Sequence, residues 1–193
     1  TVSRASDRPD LALFAVGDSV WMDLNRSGTQ DPGEAPASRI SVQLLNVDGD
    51  VVASTVSTPS GHYVFDRLTA GTYSVRFAGI PKDFRLTPNG LGDQRANDSD
   101  PDFSGVTPPF ALGVGESNLR PTTSSDQVSA AYINPTIDAG ITPLRYGVGD
   151  RVWLDLNSDG LQQPDEPAGS ATVSLLTTTG DVVATTTTDA TGR

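Results

Sequence analysis

The sequence has no cysteine, one histidine and one lysine, and each scarcity removes a class of chemistry. Without cysteine there is no disulfide staple and no thiolate for a soft metal. The single histidine, His62, reads as an ordinary surface or packed side chain. No nucleophile elbow, zinc signature or phosphate loop accompanies it. Basic residues are few: 13 Lys and Arg stand against 24 Asp and Glu, a formal net charge of −11. Such a surface repels phosphate backbones and anionic lipid, which argues against nucleic acid and membrane-surface partners. Long apolar runs are missing too. Leu11 to Val16 is far too short to span a bilayer. The first residues show no signal-peptide pattern and the last carry no anchor, so the chain reads as a piece excised from a longer one. Helix formers are scarce and no long stretch has a helical period.

What is present is a repeat. GDSVWMDLNRSGTQDPGE (Gly17–Glu34) returns as GDRVWLDLNSDGLQQPDE (Gly149–Glu166). After a one-residue slip the match continues, Ile40–Gly61 against Ala171–Gly192. The period of 131 to 132 residues is that of a domain, far beyond a solenoid unit. The second copy stops at Arg193, where the first has His62. The expected organisation is a linker over 1–14, a complete module over 15–142, a linker over 143–146, and the truncated start of a second copy over 147–193. A lone third of a module cannot bury a proper core, so this last part is expected to be the less stable.

Apolar residues alternate with polar ones at Ile40, Val42 and Leu44 and again at Tyr73, Val75 and Phe77. Period two means half-buried antiparallel strands. Asp48-Gly49, Ser60-Gly61 and Ala70-Gly71 mark the reversals. The expected fold is an all-β sandwich. Pro81–Pro109 is long and irregular, so something other than a ladder should hold it. Strands are expected to resume around Pro109–Leu112, Gln127–Ile133 and Thr136–Ile141.

The repeated stretch carries the chemistry. Calcium takes six to eight oxygens, and a twelve-residue loop can supply them from positions one, three, five, seven, nine and twelve, with glycine at six. In the first copy these are Asp23, Asn25, Ser27, Thr29 through its carbonyl, Asp31 and Glu34, with Gly28 at six. In the second they are Asp155, Asn157, Asp159, Leu161, Gln163 and Glu166, with Gly160 at six. Leu161 can offer only its carbonyl. An acidic turn with Asn and Gly placed for backbone reasons explains the glycine, but not the glutamate at twelve in both copies. The flanks alternate as strands, which rules out a helix–loop–helix hand and a dockerin. The loop is expected to join two β-strands. Trp21 and Trp153, two residues before each loop, read as packing residues rather than sugar platforms.

These residues, together with VQLLNVDGDVVASTVSTPSGHYVFDRLTAGTYSVRF, resemble the SdrD B-like domain, the B-type repeat of serine–aspartate-repeat bacterial surface proteins, related to the prealbumin-like B repeats of collagen adhesins. The resemblance covers nearly all of Gly17–Ile141 and all of Gly149–Arg193. It implies an immunoglobulin/prealbumin-like antiparallel β-sandwich, bound to calcium, outside the cell on a bacterial surface or secreted. It also implies further calcium at a later acidic loop, through Asp93, Asp98, Asp100 and Asp138, with Asp102 able to join. Clustered carboxylates repel one another unless a cation or solvent intervenes, which supports that second site independently. Collagen-adhesin B repeats often carry a Lys–Asn isopeptide bond. The only lysine here, Lys82, lies outside the first strand, so no such bond is expected, and intact mass without loss of ammonia is the check.

No acid–base constellation is visible, so no enzyme is expected. The favoured function is a calcium-stiffened spacer within an adhesin-like protein, its partners being calcium ions, neighbouring repeats, and a host or cell-wall ligand met through another domain. The alternative is a module that itself recognises a host protein or glycan. A scaffold within a secreted enzyme or surface layer is a third use of such modules.

Overall fold

The computed structural model describes residues 12–87, 89 and 97–193. The chain divides into two compact units, one ending at Leu144 and the other starting at Arg145. The described part of the first unit is all β apart from one 3-10 turn at Ser124–Asp126.

Ten strands lie among the described residues of the first unit: β1 (Phe14–Met22), β2 (Ser41–Leu45), β3 (Val51–Val56), β4 (His62–Leu68), β5 (Gly71–Ala78), β6 (Phe84–Leu86), β7 (Phe110–Leu112), β8 (Arg120–Pro121), β9 (Tyr132–Asn134) and β10 (Ala139–Pro143). One sheet runs β6-β10-β1-β9-β8 with β4 against β1, and the other runs β3-β2-β5-β7. β1 organises the first sheet. Residues 14–19 pair antiparallel with β4, while residues 14–16 and 20–22 pair parallel with β9 and β10. The antiparallel sandwich therefore contains a mixed centre. Gly17 is required there, because a Cβ at that position would meet the Tyr63 carbonyl oxygen at 2.3 Å.

The period-two residues lie where alternation puts them. Val42 and Leu44 of β2 face Val75 and Phe77 of β5 across an antiparallel ladder, and all four are buried with Val16, Val20, Tyr63, Phe65, Ala139 and Ile141. Each fully buried side chain of this size contributes about 1.5–3 kcal/mol. Ala15, Ala130 and Ile133 form a second small cluster. Trp21 is fully buried and bridges to Pro36.

Strand limits differ from the sequence expectation where side chains take over the backbone donors. Gln127–Ile133 is strand only from Tyr132 onward, because Gln127 is left-handed (φ 53°) and the Asp66 carboxylate accepts the amides of Ser129 and Ala130. Thr136–Ile141 gives way to Ala139–Pro143, because Asn134 takes the Thr136 amide and Asp100 takes that of Asp138. The irregular stretch also holds β6, which pairs with β10.

The second unit contains the hairpin β11 (Thr172–Leu176) and β12 (Val182–Thr187). Val173 and Leu175 are 44% and 47% exposed, whereas their counterparts Val42 and Leu44 are fully buried. The local frame is nevertheless the same. Trp153 bridges to Ala168 as Trp21 does to Pro36. Gly61 and Gly192 share φ 81°, each with a backbone carbonyl, of Val20 and Val152, where a Cβ would fall.

Candidate metal centre

The first loop leaves β1 at Asp23, whose amide donates to the Ile141 carbonyl of β10 (2.9 Å). Asp23 is fully buried. Its Oδ1 accepts the Ser27 amide (3.0 Å), and its Oδ2 accepts the Gly28 amide (3.1 Å) and the Thr87 hydroxyl (2.8 Å). Gly140 makes room for this arrangement, since a Cβ there would lie 3.1–3.2 Å from Trp21, Asp23 and Thr87. Gly28 sits at φ 80°, in the left-handed region that permits the sharp turn.

The other predicted residues converge. Asn25 Oδ1 accepts the Ser27 amide (2.9 Å), and Asn25 Nδ2 donates to Asp31 Oδ2 (2.8 Å). Ser27 Oγ lies 2.8 Å from Asp31 Oδ2 and 3.0 Å from the Thr29 carbonyl oxygen. Glu34 folds back, Oε1 accepting the Leu24 amide (3.0 Å) and Oε2 that of Asp31 (3.1 Å). Bonds from Asn25, and then from Ser27, hold the Asp31 carboxyl below its usual range. Ligands at 2.3–2.6 Å from a calcium ion sit about 3 Å from one another, the spacing at which Ser27 Oγ stands from Asp31 Oδ2 and the Thr29 carbonyl oxygen. The mixed donor set of carboxylate, amide, hydroxyl and carbonyl oxygens is what a hard cation takes. Among the described residues no three Asp, Glu or His side chains converge into a ligand group on their own.

The second loop repeats the geometry. Asp155 accepts the amides of Ser158 (2.6 Å), Asp159 (3.2 Å) and Gly160 (2.9 Å). Asn157 Nδ2 donates to Asp159 Oδ2 and Gln163 Oε1 (both 3.0 Å), and Gln163 donates to Asp159. Glu166 accepts the Leu156 and Gln163 amides (3.2 and 3.0 Å). The Leu161 amide heads the bonds that lower the Asp159 carboxyl. Asp155 is exposed, unlike Asp23.

The later acidic segment is laid against the first loop. The Gln30 amide donates to the Asn97 carbonyl (2.8 Å), the Ser99 amide donates to the Gly28 carbonyl (2.9 Å), and Thr29 and Asp98 face each other in a bridge. Ser99 Oγ then donates to the Thr87 carbonyl (2.6 Å) and accepts the Gly140 amide (3.1 Å). Asp100 and Asp138 meet: the Asp138 amide donates to Asp100 Oδ2 (2.6 Å), and the Asp100 amide to the Asp138 carbonyl (3.0 Å). Asp138 Oδ1 accepts the Ser19 amide and hydroxyl, while its buried Oδ2 has no hydrogen-bond partner. Burial pushes the Asp100 carboxyl up to about 7 against the Asp138 amide bond, with the Asp98 charge adding to the rise. Burial and then the Asp18 charge raise Asp138 far above a normal carboxylate. The orphaned buried oxygen of Asp138 is an acceptor that a bound cation would satisfy.

Asp93 lies outside the described residues. Asp102 stays apart, its Oδ1 capping its own turn through Ser104 and Val106. Sequence reasoning missed Ser19, Thr87, Ser99 and Asp18. His62 is exposed, 3.7 Å from Asp18. Lys82 lies exposed in the turn before β6.

Two comparisons bear on relatives. Serine-aspartate repeat-containing protein F of Staphylococcus epidermidis is 35% identical over 187 residues, 95% of this chain and 10% of the relative. Protein D of the same naming from Staphylococcus aureus strain Newman is 32% identical over 183 residues, 94% of this chain and 12% of the relative. The chain thus spans about a tenth of the length of these relatives. Among solved structures, the minor pilin of Streptococcus agalactiae aligns over 73% of this chain and 49% of its own (TM-score 0.43, 11% identity). The Bacillus anthracis TIE protein aligns over 94% of this chain and 25% of its own (TM-score 0.41, 12% identity). The SdrD B-like domain family matches residues 14–141 and again 146–193, both ranges including a copy of the repeated loop, and the chain belongs to that family.

Proposed function

We propose that this chain is a non-enzymatic, calcium-stabilised spacer module of a bacterial cell-surface or secreted adhesin-like protein. The observation that carries the reading is one loop in which Ser27 Oγ stands 2.8 Å from Asp31 Oδ2 and 3.0 Å from the Thr29 carbonyl oxygen, Asn25 bonds Asp31, and Asp23 and Glu34 hold the loop amides, with Asn157, Gln163, Asp155 and Glu166 taking corresponding bonds in the second copy. Bound calcium supplies positive charge where the carboxylates otherwise repel. The residues of the chain do the rest. Asp23 ties the loop to β10 and Thr87, the 97–100 segment backs it, and Asp100 with Asp138 offers a second set of oxygens on the same side. An ion that binds only the folded form raises stability with its free concentration. Extracellular modules typically bind at about 10⁻⁴ to 10⁻³ M, so such a site fills outside cells.

The test is calorimetric titration of the full chain with calcium, counting ions. Two ions correspond to the twin loops, and more bring in Asp98, Asp100 and Asp138. No uptake at millimolar calcium would end the reading.

A further inference from the structure

Arg26 is out of place. It stands at position four of the first loop, among Asp23, Asp31 and Glu34, where a fixed positive charge opposes cation binding. Its side chain is committed elsewhere: Nη2 donates to the Pro143 carbonyl at 2.8 Å, 117 residues along the chain. Nε is buried without a hydrogen-bond partner, so Arg26 gives up solvation to reach that carbonyl. Pro143 is the last residue of β10, and the first unit ends one residue later. The final turn of chain is held from both sides. On one edge Ile141, Thr142 and Pro143 pair with Leu86, Arg85 and Phe84, and the Leu144 amide donates to the Asp83 carbonyl (2.8 Å). On the other edge β1 pairs with β10 as far as Met22 opposite Ile141, and beyond it the loop takes over, through the Asp23 amide on the Ile141 carbonyl and Arg26 on that of Pro143.

We infer that Arg26 is a positioning residue that transmits order in the metal loop to the peptide leaving the complete module. The second copy supplies the control. Ser158 holds the corresponding backbone at φ 62° against 65° for Arg26, so the loop does not need arginine to take its shape. What arginine adds is reach. An ion that fixes the Asp23–Glu34 loop fixes the guanidinium, and with it the carbonyl at which β10 ends, whereas a loop carrying serine orders only itself. The inference rests on the calcium reading.

The test is Arg26→Ser in the full chain, with calcium alone as the probe. Calorimetry counts ions, and amide exchange is followed at Leu144, with the β2–β5 amides as the reference for the fold. In the wild type, calcium slows Leu144 exchange by about 5-fold or more, the lower range of intramolecular couplings. In R26S the ion count is unchanged, affinity is equal or tighter because a cation has gone, and the slowing at Leu144 is lost. A residue needed merely for structure would weaken calcium binding instead. Equal slowing in R26S overturns the inference, as does a wild-type Leu144 indifferent to calcium while Ser27 and Gly28 gain protection. Loss of the reference protection in R26S overturns it too, by making Arg26 a folding residue. No calcium uptake by the wild type sinks the calcium reading first and this inference with it.

Discussion

Glu34 engages both carboxylate oxygens with loop amides, Leu24 and Asp31, and so closes the first loop on itself. Glu34→Gln keeps the size and one acceptor but removes the charge. It is expected to weaken the first calcium site about 10-fold or more, against a few-fold for Ser27→Ala, read by titration calorimetry. Gly140→Ala tests the floor of the site. The added Cβ would press on Trp21, Asp23 and Thr87, and overpacking of this kind costs about 1–3 kcal/mol, seen as a lower denaturant midpoint in chelator. The side chains that meet within the loop were legible in the sequence because their spacing is local. Thr87 and Ser19 were not, because the carboxylates they meet lie 64 and 119 residues away, and a lone hydroxyl carries no mark of such a partner.

At the scale of elements, the 97–100 segment is bonded to the chain entering β10, the Asp100 amide on the Asp138 carbonyl and the Asp138 amide on the Asp100 carboxylate, and this brings two carboxyls into a buried place. This pairing gives the metal-free protein a pH dependence of definite sign. Unfolded, Asp100 and Asp138 titrate near 4. Folded, burial raises both, Asp100 to about 7. Between those limits the folded state binds more protons, so stability in chelator falls as pH rises from about 4 to about 7. Urea midpoints in chelator at pH 5 and pH 7.5 read this directly, and a higher midpoint at pH 7.5 would refute it. With calcium the trend opposes this, because the ion needs ionised carboxylates. Alternation made β2 and β5 readable. It failed at Gln127–Ala131 because Asp66, one side chain from another strand, satisfies the donors that a ladder would have taken.

For the whole molecule the contrast is between the two units. The first buries Val42 and Leu44 under β5, while the second leaves Val173 and Leu175 about half exposed. Amide exchange is expected to be faster in β11–β12 than in β2–β3 by orders of magnitude, since protection follows local burial. Chelation is expected to lower the melting temperature and to speed proteolysis near Asp23–Glu34 and Asp98–Asp102; unchanged melting in excess chelator would speak against the calcium reading. The repeat and its period could be read directly from the chain, and so could the all-β class. The mixed pairing of β1 could not, since alternation is the same in parallel and antiparallel ladders.

Asp23 is covered by Thr87 with the 97–100 segment behind its loop, whereas Asp155 stands open to solvent. Three carboxylates stand among the ligand positions of each loop: Asp23, Asp31 and Glu34 in one, Asp155, Asp159 and Glu166 in the other. One polypeptide therefore carries its own thermodynamic ruler. Buffer and concentration cancel between its two loops, and the ratio of their dissociation constants weighs the Thr87 cover and the Arg26 charge of one against the additional Asp165 of the other.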